Sequence, residues 1–298
     1  GTSGVGSGVH VTNGAQSNRI GTDGNGVSDY LERNVISANR FDGIVISSYP
    51  QPARYNVVAG NFVGADATGR LPLGNGHNGM DVAFSASSTR IGTNGDGVAD
   101  DAERNLFSGN AHWGIVFQMS SENLVAGNYI GTDTTGVNPL GNGYDGIIIN
   151  DGAQLNQIGG SNPGQGNTIA FNRSGVVVGP DADWTPGVGP ATRNRIQGNS
   201  IHSNAALGID LDARPIVSSS GWQTWGDGLT ANDWLDGDSG GNALQNYPLI
   251  ASVQTGTSTR VVGGLHSRAN ATFTLDFYAN TAADANGFDE GQRWLGTS

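Results

Sequence analysis

Two loops in this chain carry oxygen-bearing side chains at the spacing a hard cation requires. They are Asp23-Gly-Asn25-Gly-Val-Ser-Asp29-Tyr-Leu-Glu32 and Asn94-Gly-Asp96-Gly-Val-Ala-Asp100-Asp-Ala-Glu103. Calcium is held by several oxygens at once, and the intervening glycines allow the chain to curl around it. Calcium is therefore the one cofactor the residues raise, with Asp23, Asn25, Asp29 and Glu32 as one ligand set and Asn94, Asp96, Asp100 and Glu103 as the other. A further acidic group, Asp227, Asp233, Asp236 and Asp238, offers the same chemistry. Against this stands a plainer reading, because Asp-Gly and Asn-Gly are good turn formers with or without an ion.

A second group of residues comes into line when the recurrent Gly-[apolar]-x-[apolar] phrase is used to align the chain. The pairs before each glycine are Phe41-Asp42, His77-Asn78, His112-Trp113, Tyr144-Asp145, Arg173-Ser174 and Ala206-Leu207, while Asp81 and Asp210 sit inside the phrase. If the phrases stack, His77, His112, Trp113, Tyr144, Asp145 and Arg173 form a stripe of rings, carboxylates and cations. A sugar chain is recognised by such groups, through stacking and hydrogen bonds. For that, Trp113 needs a free ring face. Asp42, Asp81 and Asp145 are the carboxylates that hydrolysis would use, and an inverting pair stands roughly 6.5–9.5 Å apart. The same residues also suit a polar corner ahead of a strand. No Ser-His-Asp order is legible, and no hydrolase or lyase motif is present, so the residues leave open whether the chain is an enzyme.

The elements that must position these residues are short and repeated. Asn34-Val-Ile-Ser-Ala-Asn39, Asn56-Val-Val-Ala-Gly-Asn61, Asn105-Leu-Phe-Ser-Gly-Asn110, Asn123-Leu-Val-Ala-Gly-Asn128, Asn167-Thr-Ile-Ala-Phe-Asn172 and Asn194-Arg-Ile-Gln-Gly-Asn199 are copies of one phrase. Gly43, Gly79, Gly114, Gly146, Gly175 and Gly208 open the copies of the other, 36, 35, 32, 29 and 33 residues apart. A larger unit shows as well, since Asn56 to Asn123 is 67 residues and Asn123 to Asn194 is 71. Segments this short are not stable as isolated strands, but stacked coil on coil each pairs with its equivalents and their inward residues form one column. A propeller would need four longer strands per blade, joined by hairpins, and these are missing.

The pattern predicts an all-β chain with a parallel β-helix over 1–212, an irregular acidic cap or linker over 213–246 and a partial β-sandwich-like module over 247–298. The core column falls to Ile44, Ile46, Val82, Ile115, Phe117, Ile147, Ile149, Val176, Val178, Ile209 and Leu211. In the module, Arg260–Leu265 and Thr272–Tyr278 alternate as antiparallel strands do.

Ile130-Gly-Thr-Asp-Thr-Thr-Gly136, Leu140-Gly-Asn142 and Asp145-Gly-Ile-Ile-Ile149 make residues 9–212 resemble the right-handed parallel β-helix repeats, pectate-lyase-like in fold, of large bacterial extracellular proteins. Asp236-Gly-Asp238, Leu244-Gln-Asn-Tyr-Pro-Leu249, Phe273–Tyr278 and Gly287-Phe-Asp-Glu-Gly-Gln292 resemble the start of the Ig-like sandwich module that commonly follows them. The resemblance implies a right-handed coil, a secreted or cell-surface location, and a structural or adhesive role. It implies no particular activity.

Composition narrows the partners. The formal charge is −12, and all 14 basic residues are Arg. That sign disfavours a nucleic-acid surface. No run of about 18 apolar residues occurs, so no membrane-inserted helix is expected. With no Cys, disulfides and thiolate metal sites are excluded. The chain opens in mid-pattern without a signal peptide, which reads as a piece of something longer. Two functions remain: a structural or adhesive module, calcium-stabilised, that meets neighbouring modules or copies of itself, or a β-helix that binds or degrades extracellular polysaccharide.

Overall fold

Asn-bounded and Gly-opened segments pair in parallel, each with its counterpart one coil away. The computed structural model describes residues 6–48, 51–179, 188–212, 226–283 and 290–298. Much of the expected linker (213–225) and residues 287–289 of the terminal phrase lie outside the described residues. Three parallel sheets of seven, six and six strands wrap one core, making a parallel β-solenoid. The seven-stranded sheet is built from Val9–Val11, Ile44–Ser47, Met80–Ala83, Ile115–Gln118, Ile147–Asn150, Val176–Val178 and Ile209–Leu211. Among the described residues no helix is long and apolar enough to cross a membrane.

Register explains the core. Ile44, Met80, Ile115, Ile147 and Val176 are aligned, as are Ile46, Val82, Phe117, Ile149 and Val178. All are buried and belong to one cluster with Val58, Ile91, Val125 and Ile158 from the second sheet and Val63, Phe107, Ile130 and Ile169 from the third. Alternation along a strand sends every second residue inward, so these two ranks are the interior of the coil. Leu211 packs against the cluster only in part. Ile209 departs from the expected column, being 45% exposed. It stands on the last strand of its sheet, where no further coil covers it. A cavity of about 610 Å³ opens there, lined by Leu207, Ile209, Leu211, Leu244 and Phe273.

Asparagine makes the corners. In one column Asn39, Asn75, Asn110, Asn142, Asn172 and Asn204 are stacked. Each Oδ1 accepts both the backbone N–H and the Nδ2–H of the Asn one coil earlier, as Asn110 does from Asn75 at 3.3 and 2.8 Å. The other Nδ2 hydrogen goes to a carbonyl, for Asn75 that of Ile36 at 3.1 Å. The side-chain amide is thereby saturated, which permits its burial. A second column runs from Asn34 through Asn61, Asn105, Asn128 and Asn167 to Asn199. A third runs from Asn123 through Asn156 to Asn194, and Thr89 takes the Asn position one coil before it. Glycines make room for these amides. A Cβ on Gly79 would lie 2.6 Å from the Gly114 oxygen and 2.8 Å from Asn110 Nδ2.

The C-terminal part ends the columns. Asn194 donates its N–H to Asn242 at 2.9 Å, and Asn204 meets Glu290. Ser200 and Ile201 of the third sheet donate to the carbonyls of Gln292 and Gly291. Leu249–Gln254 pairs antiparallel with Arg260–Gly264, and Asp276–Ala279 with Arg293–Thr297. These are two two-stranded antiparallel sheets. The strand expected from Thr272 starts only at Asp276.

Candidate functional site

The two acidic loops share the bonds that close them. Thr22 and Thr93 each donate a hydroxyl to Asp29 and Asp100, and each accepts the N–H two residues on. Glu32 and Glu103 close the loops by accepting the N–H of Asp23 and Asn94, both at 2.8 Å. Asp23 and Asn94 make the Asx turns, accepting the N–H of Asn25 and Asp96 at 3.0 Å. The loops therefore close through their own hydrogen bonds.

They differ in charge. In the first loop the carboxylates of Asp23, Asp29 and Glu32 converge, with ligand oxygens within 4.8 Å of one another. In the second, Asn94 replaces the first Asp, and the buried Glu103 is paired with Arg90 at 2.9 Å. Asn94, Asp96, Asp100 and Glu103 do not form such a cluster. Glu103 already has a fixed cation for a partner, which is what a metal would have supplied. Asp233, Asp236 and Asp238 also converge within 4.8 Å, whereas Asp227 stands apart beside Asp210. Two acidic clusters thus offer oxygen-only ligands suited to a hard cation.

The stripe assembles as register requires. Phe41, His77, His112, Tyr144 and Arg173 follow one another down the stack, each N–H donated to the preceding carbonyl. His77 and His112 are stacked with centroids 4.8 Å apart, and His112 and Tyr144 lie at 5.1 Å.

Two of the expected binding residues are out of reach, however. Trp113 is only 5% exposed. Its ring packs with Val116, Ile148, Val177 and Tyr144 in a cluster of its own on the outer side of the sheet. The cause is local: the outward residues of these three strands are apolar, and the indole covers them. Asp145 is fully buried and accepts from Trp113 Nε1 at 3.1 Å, Arg173 Nε at 2.9 Å and the Ser174 N–H at 3.1 Å. Trp113 offers no free stacking face, and Asp145 is enclosed by its donors, whereas the side chain of its ion-pair partner Arg173 stays 27% exposed.

Asp42 and Asp81 stand differently. In the outward rank the order is Val45, Asp81, Val116, Ile148, Val177, Asp210. Asp81 is half-buried, and its Oδ1 is enclosed with no partner among the described residues. Burial pushes its carboxyl up to about 7, with the nearby Asp42 adding to the effect. Asp42 Oδ1 accepts the Asn78 N–H at 3.1 Å, and Asn78 in turn encloses an unpartnered Oδ1. His112, half-exposed beside them, is held below the usual imidazole range by burial and by His77, against a smaller opposing pull from Asp42.

A related carboxyl lies at the far end of the rank. Asp210 is 2% exposed. Burial pushes it up to about 6 although the Gly228 N–H opposes this, and Asp227, Asp212 and Asp145 add to the rise.

Some functional side chains gave no signal in the sequence. Glu290 reaches the end of one column from 86 residues away, and Asp276 accepts from the Gly198 N–H from 78 residues away; both lie in the phrases that resemble the following module, but nothing in those phrases signals these contacts. Arg90 as the counter-ion of Glu103 was legible in principle, because Arg19 holds the matching place before the first loop.

The fold and these sites define the class, a parallel β-solenoid repeat protein with a C-terminal pair of antiparallel ribbons. Neither the family models, nor the curated proteins, nor the solved structures contain a match to the chain.

Proposed function

We propose that the chain is a rigid structural module of a secreted or cell-surface protein, holding flanking parts at a fixed separation and meeting neighbouring modules or extracellular polysaccharide. One observation carries this reading: the buried asparagine columns run from coil to coil with their amides saturated. A stack cross-linked in this way resists bending and needs no disulfide, in keeping with the absence of Cys. The strong negative charge favours solubility in a large assembly.

Calcium is the ion this reading assigns to Asp23, Asp29 and Glu32. It would neutralise three carboxylates that form no ion pair among the described residues, doing in the first loop what Arg90 does for Glu103 in the second.

Small-angle scattering of the purified chain, together with antibody labelling of intact producing cells, tests the proposal. Expected are the cross-section of a rod and labelling without lysis. A compact globular profile, or labelling only after lysis, would remove it.

A further inference from the structure

We propose that Asn25 is a self-modifying site: it closes a five-membered imide with the Gly26 nitrogen, loses ammonia and opens to aspartate or isoaspartate. The first support is a free nucleophile. Six Asn-Gly pairs fall among the described residues, beginning at Asn13, Asn25, Asn75, Asn78, Asn94 and Asn142. The glycine nitrogen attacks in this reaction, so a hydrogen bond from its N–H must first be broken. Gly14, Gly76, Gly79 and Gly143 donate theirs to the carbonyls of Gln51, Asn39, Trp113 and Asn110. Gly95 donates to the Thr93 hydroxyl at 2.9 Å. The Gly26 N–H has no acceptor among the described residues. Asn75, Asn78 and Asn142 are buried as well, whereas Asn25 and Gly26 are both exposed.

The second support is the setting of the amide. Asn25 Oδ1 accepts the Val27 N–H at 2.7 Å. This Asx turn bends Cγ back over the intervening Gly26 peptide. The same N–H faces the oxygen that turns negative as nitrogen adds to Cγ, and a donor already in place there lowers the barrier. Nδ2, the leaving nitrogen, is held by Asp23 Oδ2 at 2.9 Å. Gly26 lies in the left-handed region at φ +83° and has no Cβ to hinder ring closure. The loop also suits the product. Asp96 takes the place of Asn25 in the second loop, and its Oδ1 accepts the Val98 N–H at 2.8 Å.

The chemistry needs only water. The Gly26 nitrogen bonds to Cγ as the Cγ–Nδ2 bond breaks, and the proton that nitrogen gives up leaves on ammonia. Water then adds to one imide carbonyl and breaks its bond to nitrogen. Opening at Cγ gives aspartate, and opening at the backbone carbonyl gives isoaspartate. Nothing is oxidised or reduced. Either product adds a fourth carboxylate to Asp23, Asp29 and Glu32. Asp23 then faces a like charge where it faced an amide donor, and a cation between them relieves the repulsion. That consequence rests on the calcium reading of the loop, and the conversion itself does not.

The test incubates the purified chain near neutral pH, folded and in concentrated urea. Mass spectrometry follows the exchange of amide for acid at each Asn-Gly pair, and an isoaspartyl methyltransferase marks the isoaspartate. In the folded chain Asn25 should convert at least ~5-fold faster than Asn13 and Asn94, the other exposed pairs, a factor one hydrogen bond confers. In urea the three rates should converge. An Asn25 that persists in the folded chain, or converts no faster than Asn13 and Asn94, would overturn the proposal. Asn25→Asp, the product, and Asn25→Gln, which cannot close the five-membered ring, are then melted with and without calcium. A larger calcium shift is expected in Asn25→Asp. Equal shifts would overturn the added ligand, and no shift in either would remove the calcium reading, while the mass spectra decide the conversion on their own.

Discussion

Asn204 ends its column against Glu290: the backbone N–H reaches Oε2 at 3.0 Å and Nδ2 reaches Oε1 at 2.8 Å. In every earlier coil of that column a single amide oxygen of the next Asn receives the same two donors. The columns are directional, with donors facing the C-terminal end, so whatever closes that end must accept. A buried carboxylate does so with both oxygens, and charge-assisted bonds are stronger than neutral ones.

Glu290→Ala should therefore lower stability by about 1–3 kcal/mol, the cost of stranding buried donors. Glu290→Lys should cost more, because it sets donor against donor. Thermal melts followed by circular dichroism read both. Melts that match the parent would mean that the columns need no acceptor at their end.

Ile147 lies fully buried between Ile115 and Val176. Ile147→Asp should unfold several coils at once, since a bare charge cannot be tolerated there and each coil supports its neighbours. The expected result is insoluble protein or loss of the cooperative transition. Soluble protein with the parental melting curve would contradict the column.

For Trp113 the expectation now concerns stability. Trp113→Ala should cost about 3–5 kcal/mol by uncovering Val116 and Ile148. Asp145→Ala should cost about 3 kcal/mol by leaving Arg173 and the indole N–H without their acceptor. Chemical denaturation measures both. A neutral Trp113→Ala would restore the case for an exposed ring.

Asp81 imposes a pH dependence whose sign is fixed. Its folded carboxyl titrates at about 7, against about 3.9 for an unfolded Asp. The folded state binds the proton more tightly, so this contribution is fully present below about pH 4 and is lost as the pH rises through about 7. Asp210, pushed up to about 6, acts in the same direction and completes its loss earlier. Asp81→Asn should raise the melting temperature at about pH 8 and leave it nearly unchanged at about pH 4. An equal gain at both would place the titration elsewhere.

Calcium should act through the first loop. Added calcium should raise the melting temperature by mass action, and a chelator should reverse the shift. Asp29→Ala should abolish it and Asp96→Ala should not, because Arg90 already neutralises Glu103. A shift that survives Asp29→Ala and disappears in Asp236→Ala would assign the ion to the other cluster.

Much of this architecture was legible because the solenoid repeats its instructions. Gly43, Gly79, Gly114, Gly146 and Gly175 marked the strand starts, and the residues three places on were correctly read as interior. Ile209 broke the rule because a repeat says nothing about what covers the last coil. The outer face was harder to read. By the residues before each glycine alone, Trp113 and Tyr144 suit a stacking surface. The second residue after the glycine holds the answer. Where it is Val116, Ile148 or Val177 the outer face is dry and recruits a ring to cover it, and where it is Asp81 the face stays wet. The Glu103–Arg90 pair was missed for a related reason: equal spacing in two loops concealed a difference in charge.

Each asparagine passes the same pair of hydrogen bonds to its successor, so an interior coil carries no record of how many coils precede or follow it. Inserting another two-coil unit, such as the 67 residues from Asn56 to Asn123, would ask for no new chemistry at either junction. It would lengthen the rod by about 10 Å. Length in this fold is thus a graduated quantity, set by the copy number of a unit and not by the sequence of any one coil. In-frame duplication offers a direct route to a longer or shorter ruler, with Asn242 and Glu290 left to close whichever coil comes last.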